Sequence, residues 1–167
     1  MSDPVKIGIS ACLLGECVRY DGGHKRSDLI IETFGRWAEF VPVCPEVECG
    51  LPVPRPPMQL YDDPATPRII EIESRIDHSI RMIAWAENCL DELSHENLAA
   101  FIFKAKSPSC GLRNIIVASS DEGLPQLGRG LWTKLFINRF PEIPVEDNES
   151  MQIDSIRVKL IERIREG

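Results

Sequence analysis

What the 167-residue chain lacks narrows the possibilities first. No apolar stretch approaches the roughly 20 residues needed to span a bilayer, so no transmembrane segment is expected. Positive charge is in deficit: 19 Lys and Arg against 26 Asp and Glu leave a formal net charge of −7. That balance disfavours a general nucleic-acid binder, because neutralising phosphates needs a basic face. No two of the six cysteines form a CxxC pair, the spacing of zinc ribbons and thioredoxin-like dithiols. No GxxxxGK(S/T) phosphate loop occurs, so nothing points to ATP-driven chemistry. The opening MSDPVKIGIS has neither the basic region nor the long apolar core of a secretory signal, and a cytoplasmic chain with reduced thiols is expected. Repeats, low-complexity tracts and linkers are also missing. One domain over 1–167 is expected, large enough to bury a core without disulfide staples.

What is present concentrates around cysteine. The stretch 44–57, CPEVECGLPVPRPP, begins with Cys44, Pro45 and Glu46 and carries five prolines. It therefore places a soft metal ligand and a carboxylate on one rigid turn. Cys12 in SACLLG and Cys110 in KSPSCG sit in similar company, each directly after an apolar run. Basic residues gather nearby as Arg19, His24, Lys25 and Arg26, and as Lys104, Lys106 and Arg113. Such a local field favours thiolates and an anionic or polar ligand.

Along the chain, 5–10 is a nearly continuous apolar strand of the kind buried on both faces of a parallel sheet. A loop turning at Gly22 and Gly23 follows, then a helix capped by Ser27 or Asp28, with Ile30, Phe34 and Trp37 at helical spacing. The second strand is 40–43, where Pro42 cannot donate a ladder hydrogen bond and so marks a sheet edge. Residues 58–74 read as an irregular excursion in which 69–72 pair briefly. Ser74 and Asp77 resemble a capping box, and Ile76, Ile80, Ile83 and Leu90 mark the face of a helix to about residue 93. The third strand is 99–104. After it come an extended piece over 115–119, a loop, a helix over 131–139, and a last strand over 143–145 that Pro144 assigns to an edge. Ile153, Ile156, Leu160 and Ile164 give a final amphipathic helix.

Alternating strands and helices predict an α/β fold, an open parallel sheet covered by helices in a Rossmann- or flavodoxin-like three-layer sandwich. With two edges assigned by proline, the simplest strand order is 2-1-3-4. Ligands bind beyond the carboxyl ends of such strands, near the point where the order reverses. Cys12, Cys44 and Cys110 then fall at the ends of three adjacent strands, about 4.8 Å from one to the next. That spread suits a cluster better than a single ion.

Three cysteines with no evident fourth suggest an iron-sulfur cluster with one iron left open for Lewis-acid chemistry. Glu46 is placed to act on water or substrate. Cys17 and Cys49 are each candidates for a fourth ligand, while Cys89 lies in a helical pattern and reads as core. Arg19, Tyr20 and Asp21 either line the pocket or tie down their loop, and His24, after the Gly22-Gly23 turn, faces solvent or braces the loop, with a direct role toward substrate as the alternative. Arg55 meets a substrate carbonyl or phosphate, or forms a structural salt bridge. Ser107 and Ser109 flank the Cys110 turn, where either can bond the backbone.

At SACLLGECVRYDGGHKR, CPEVECGLPVPRPP, FKAKSPSCG and GRGLW the sequence resembles the thiouracil desulfidase family, and specifically the N-terminal domain of its longer two-domain members. The resemblance runs over essentially the whole chain. It implies a [4Fe-4S] cluster held by Cys12, Cys44 and Cys110, with one open iron. It further implies catalytic roles for Glu46 and for Ser107, the first serine of SPSC. The implied activity removes sulfur from 2-thiouracil or a related thiolated pyrimidine, giving the oxo base and hydrogen sulfide without net redox change. Two other readings compete: sulfur insertion into a nucleobase, and a non-catalytic sensor holding zinc or a cluster for stability.

Overall fold

The computed structural model describes residues 3–167. The chain runs β1 (Val5–Ser10), a 3-10 turn, α1 (Asp28–Phe34), β2 (Ala38–Val43), α2 (Pro45–Glu48), β3 (Met58–Tyr61), β4 (Arg68–Glu71) and α3 (Ser79–Leu93). It continues through β5 (Ala100–Phe103), β6 (Ile115–Ala118), β7 (Gln126–Gly128), α4 (Leu131–Arg139), β8 (Val145–Asp147), a second 3-10 turn and α5 (Asp154–Glu166).

The first sheet has the order β2-β1-β5-β8, parallel throughout. Counted within that sheet, this is the 2-1-3-4 order expected from the sequence, with both proline-marked strands at its edges. Its central strands are apolar along nearly their whole length, VKIGIS in β1 and AFIF in β5, because both faces are covered. Ile7, Ile9, Ala100 and Ile102 share a core with Ile30 and Phe34 of α1 and Leu160 and Ile164 of α5. Phe101 and Phe103 point the other way, into a cluster with Ala86, Leu90 and Leu93 of α3 and Trp132 and Phe136 of α4. The aromatic centroids of Phe101 and Phe136 lie 4.7 Å apart, and truncating such a buried ring costs about 3–5 kcal/mol.

Residues 58–74 are not an irregular excursion. They supply two strands of a second sheet, β4-β3-β6-β7, in which β3 and β6 run parallel and the outer pairs antiparallel. Leu60, Ile69 and Val117 of that sheet pack with Met82 of α3 and Leu131 of α4. The helical layer between the two sheets is thus apolar on both sides.

Local details also depart from expectation. Of the two expected candidates Ser27 caps α1, its Oγ accepting from the Ile30 N–H at 3.3 Å, but Trp37 lies beyond the helix end. Ser74 does not cap α3: residues 71–77 turn back from β4, bridging Ile70 to Asp77. The α3 helix starts at Ser79, whose N–H donates to Asp77 Oδ1 at 2.8 Å. Its buried face is Met82, Ala86, Leu90 and Leu93, while Ile76 and Ile80 are 52% and 87% exposed. The last strand begins two residues later than expected, because Pro144 contributes only its carbonyl, accepting from Phe101 at 3.0 Å. Among the described residues no helix is long and apolar enough to cross a membrane.

Candidate active site

Three adjacent strands of the parallel sheet deliver three cysteines to one cavity. Cys12 lies in the 3-10 turn directly after β1, Cys44 is the N-cap of α2 directly after β2, and Cys110 lies within the loop between β5 and β6. All three line a cavity of about 230 Å³, together with Arg19, Tyr20, Glu46, Arg55, Lys104, Lys106, Ser107 and Ser109.

Each ligand loop is fixed locally. Glu48 Oε2 accepts from the Cys44 N–H at 2.6 Å, the carboxylate of the fourth helical residue reaching back to the N-cap. The Cys12 carbonyl accepts from Gly15 and Lys25 at 3.3 and 3.0 Å. Around Cys110, Ser107 Oγ accepts from the Ser109 and Cys110 N–H groups at 3.2 and 3.1 Å.

The N-terminus of α4 then clasps this loop. Its first-turn N–H groups have no partner inside the helix, and Leu131 and Trp132 donate theirs to the carbonyls of Pro108 and Ser109 at 3.0 and 2.9 Å. Thr133 Oγ1 donates to the Cys110 carbonyl at 2.7 Å. Gly130 makes the approach possible, since a Cβ there would stand 2.6 Å from the Ser109 carbonyl carbon and oxygen. This explains why GRGLW belongs with the cysteine motifs although it contributes no side chain to the cavity.

Glu46 is held at both oxygens. Arg55 Nε donates to Oε1 at 2.8 Å and Ser109 Oγ to Oε2 at 2.7 Å. The guanidinium's remaining nitrogens donate to the carbonyls of Pro52 and Val18 at 3.1 and 2.7 Å. Of the two readings of Arg55, its hydrogen bonds are those of the salt bridge.

Burial pushes the Cys12 thiol up against the opposing charges of Lys104 and Arg19. It pushes Cys44 to about 11, with the Glu46 charge adding to it, and raises Cys110 as well, against hydrogen bonds from Ser10 and Ser109. Burial also lowers the Lys104 ammonium, which the neighbouring Cys12 counteracts. Lys104 and Lys106, which the sequence offers only as part of a local positive field near the cysteines, line the cavity itself.

The remaining candidates lie elsewhere. His24 is exposed and outside the cavity lining, its Nδ1 accepting from the Arg26 N–H at 3.1 Å. Cys17 is exposed, and Cys49 turns its Sγ to the Glu46 carbonyl at 3.3 Å; neither lines the cavity. Cys89 is buried in the core with Leu90 and Leu93.

Three thiols without an intervening imidazole suit soft metal chemistry. Cys12, Cys44 and Cys110, on neighbouring strands around one cavity, are the donors that would hold such a group.

Comparison with known proteins agrees with this arrangement. A search of curated proteins gives no match. The fold is similar to a solved structure of the [4Fe-4S]-dependent thiouracil desulfidase TudS, at 32% identity and a TM-score of 0.68, covering 93% of this chain and 99% of that one. The 2-thiouracil desulfurase family model matches residues 7–148. With its cysteine loops, its parallel sheet and that match in agreement, the chain belongs to the 2-thiouracil desulfurase family.

Proposed function

We propose that the protein is an iron-sulfur desulfidase that converts 2-thiouracil or a related thiolated pyrimidine to the oxo base and hydrogen sulfide, with no net redox change. The observation that carries this reading is the convergence of Cys12, Cys44, Cys110, Glu46 and Ser107 on one cavity, in a chain of this family.

Cys12, Cys44 and Cys110 would hold a [4Fe-4S] cluster. When bound, with one iron not ligated by protein, the cluster supplies a Lewis acid and a sulfur acceptor. The chain's own residues do the rest. Glu46, fixed by Arg55 and Ser109, orients a water molecule and takes its proton as the oxygen attacks the thiocarbonyl carbon. Ser107 Oγ accepts from two backbone N–H groups and lies 3.1 Å from Ser109 Oγ, so its one proton is donated to Ser109 or turned to the substrate. Arg19, Lys104 and Lys106 surround the cavity with positive charge, favouring a substrate that gains negative charge as water adds.

The test is an anaerobic assay of sulfide release from thiolated bases, nucleosides and nucleotides. Brown protein that yields sulfide and the oxo product supports the reading. A colourless protein with stoichiometric zinc and no sulfide release would instead favour a sensor.

A further inference from the structure

Among the described residues that line the cysteine cavity, Tyr20 alone carries an aromatic ring. It is 42% exposed, while Cys12, Arg55, Ser109 and Cys110 of the same lining are buried. The Arg19 guanidinium stands 5.6 Å from the ring centroid, and among the described residues no second aromatic ring packs against it. Although its side chain is open, its backbone is pinned. Gly22 N–H donates to the Arg19 carbonyl at 2.9 Å and Arg19 N–H to the Gly23 carbonyl at 3.2 Å, so Tyr20 sits in a closed turn. Arg55 then fastens that turn to the base of the reaction. Its backbone N–H donates to the Tyr20 carbonyl at 2.8 Å and its Nη2 to the Val18 carbonyl at 2.7 Å, while its Nε holds Glu46 Oε1 at 2.8 Å. One arginine thus sets the spacing between the carboxylate and the segment that carries the ring.

We propose that Tyr20 is the ring against which the pyrimidine stacks, a substrate-positioning residue that makes the site select flat, aromatic heterocycles. The inference rests on the desulfidase reading above and adds to it how the substrate class is recognised. Every base has a π face, so an aromatic side chain binds it whatever groups its edge carries. The stack fixes the plane of the base, and the polar groups of the cavity are left to fix its rotation within that plane. Water adds to a thiocarbonyl carbon from above or below the ring plane. With one face against Tyr20, the open face is the one that receives the water held by Glu46. No proton or electron moves at Tyr20, and the contact is the same before and during the addition. Its contribution is therefore uniform binding, which is read in KM and not in kcat.

The test compares wild type, Tyr20→Leu and Tyr20→Trp as iron-loaded proteins, with uracil and 5,6-dihydrouracil as probes. The two probes share their carbonyl and N–H groups, but the second is saturated at C5 and C6 and is neither flat nor aromatic. In equilibrium dialysis wild type is expected to bind uracil about 5–150-fold more tightly than dihydrouracil, the range that base–aromatic stacking supplies. Tyr20→Leu binds the two alike, and Tyr20→Trp keeps the preference. In sulfide release from 2-thiouracil, Tyr20→Leu raises KM by a similar factor, with the loss carried by KM and not by kcat. A Tyr20→Leu protein that retains the wild-type preference for uracil overturns the stack. If that variant fails to load or fold, wild type binding both probes equally overturns it as well. A wild type that releases no sulfide overturns the desulfidase reading, whereas an active wild type with no preference between the probes overturns the stack alone.

Discussion

The Nε of Arg55 and Oε1 of Glu46 lie 2.8 Å apart, with side chains only 4% and 12% exposed. Such a pair holds geometry at the expense of desolvation, and removing one partner strands the other. Arg55→Met is expected to lower stability by about 3–5 kcal/mol and to reduce turnover, because Glu46 loses one of its two anchors. Urea denaturation and a sulfide-release assay on the same preparation check both effects.

Glu46→Gln preserves the shape of the side chain and removes its charge. The variant is expected to retain brown colour and iron content while kcat drops by at least about 10²-fold, the low end of what a positioned base supplies. Full activity in that variant would remove Glu46 from the chemistry.

The cysteines divide by location. Substituting Cys12, Cys44 or Cys110 with Ala is expected to abolish iron binding, because each lines the cavity. Cys17→Ala and Cys49→Ala are expected to bind iron as wild type does, since one thiol is exposed and the other faces the Glu46 carbonyl. Iron and acid-labile sulfide content after anaerobic reconstitution distinguishes the groups.

Gly130→Ala reaches the site through backbone alone. The added methyl would stand 2.6 Å from the Ser109 carbonyl, forcing α4 and the Cys110 loop apart. Overpacking of this kind costs about 1–3 kcal/mol, and iron loading is expected to fall with it. A variant that matches wild type in thermal unfolding and iron content would show that the clasp is dispensable.

Acid stability depends on a contact remote from the cavity. The hydrogen bond from His78, aided by that from Ser74, holds the Glu71 carboxyl below its ordinary value, with 2.6 Å between His78 Nε2 and Glu71 Oε2. A carboxylate lowered in the folded state contributes stability that is fully present above its unfolded value of about 4.3. That contribution is lost as pH falls through the lower folded value. His78→Leu is therefore expected to unfold at a higher pH on acid titration, followed by far-UV circular dichroism.

The parallel sheet was legible because strands covered on both faces carry continuous apolar runs and because Pro42 and Pro144 can stand only where no partner needs their N–H. The second sheet was hidden. Its strands are three or four residues long, and β3 pairs with β6, far along the chain, through Leu60 and Val117. In α3, only packing against both sheets selects Met82, Ala86, Leu90 and Leu93 as the buried face, with Ile83 partly buried against the second sheet and Ile80 left exposed. At the site, the cysteines announced themselves by following strands. The bond between Ser109 and Glu46 joins loops 63 residues apart, and nothing in either local sequence encodes it.

Cys12, Cys44 and Cys110 stand at the ends of three different strands, β1 lying between β2 and β5. A chain leaving the ribosome presents these thiols one at a time, and they become neighbours only after both crossovers have docked. In zinc fingers the metal drives the folding. If these three thiols hold the cluster, the scaffold would have to form first, and iron would be delivered late, to a protein that already has its shape.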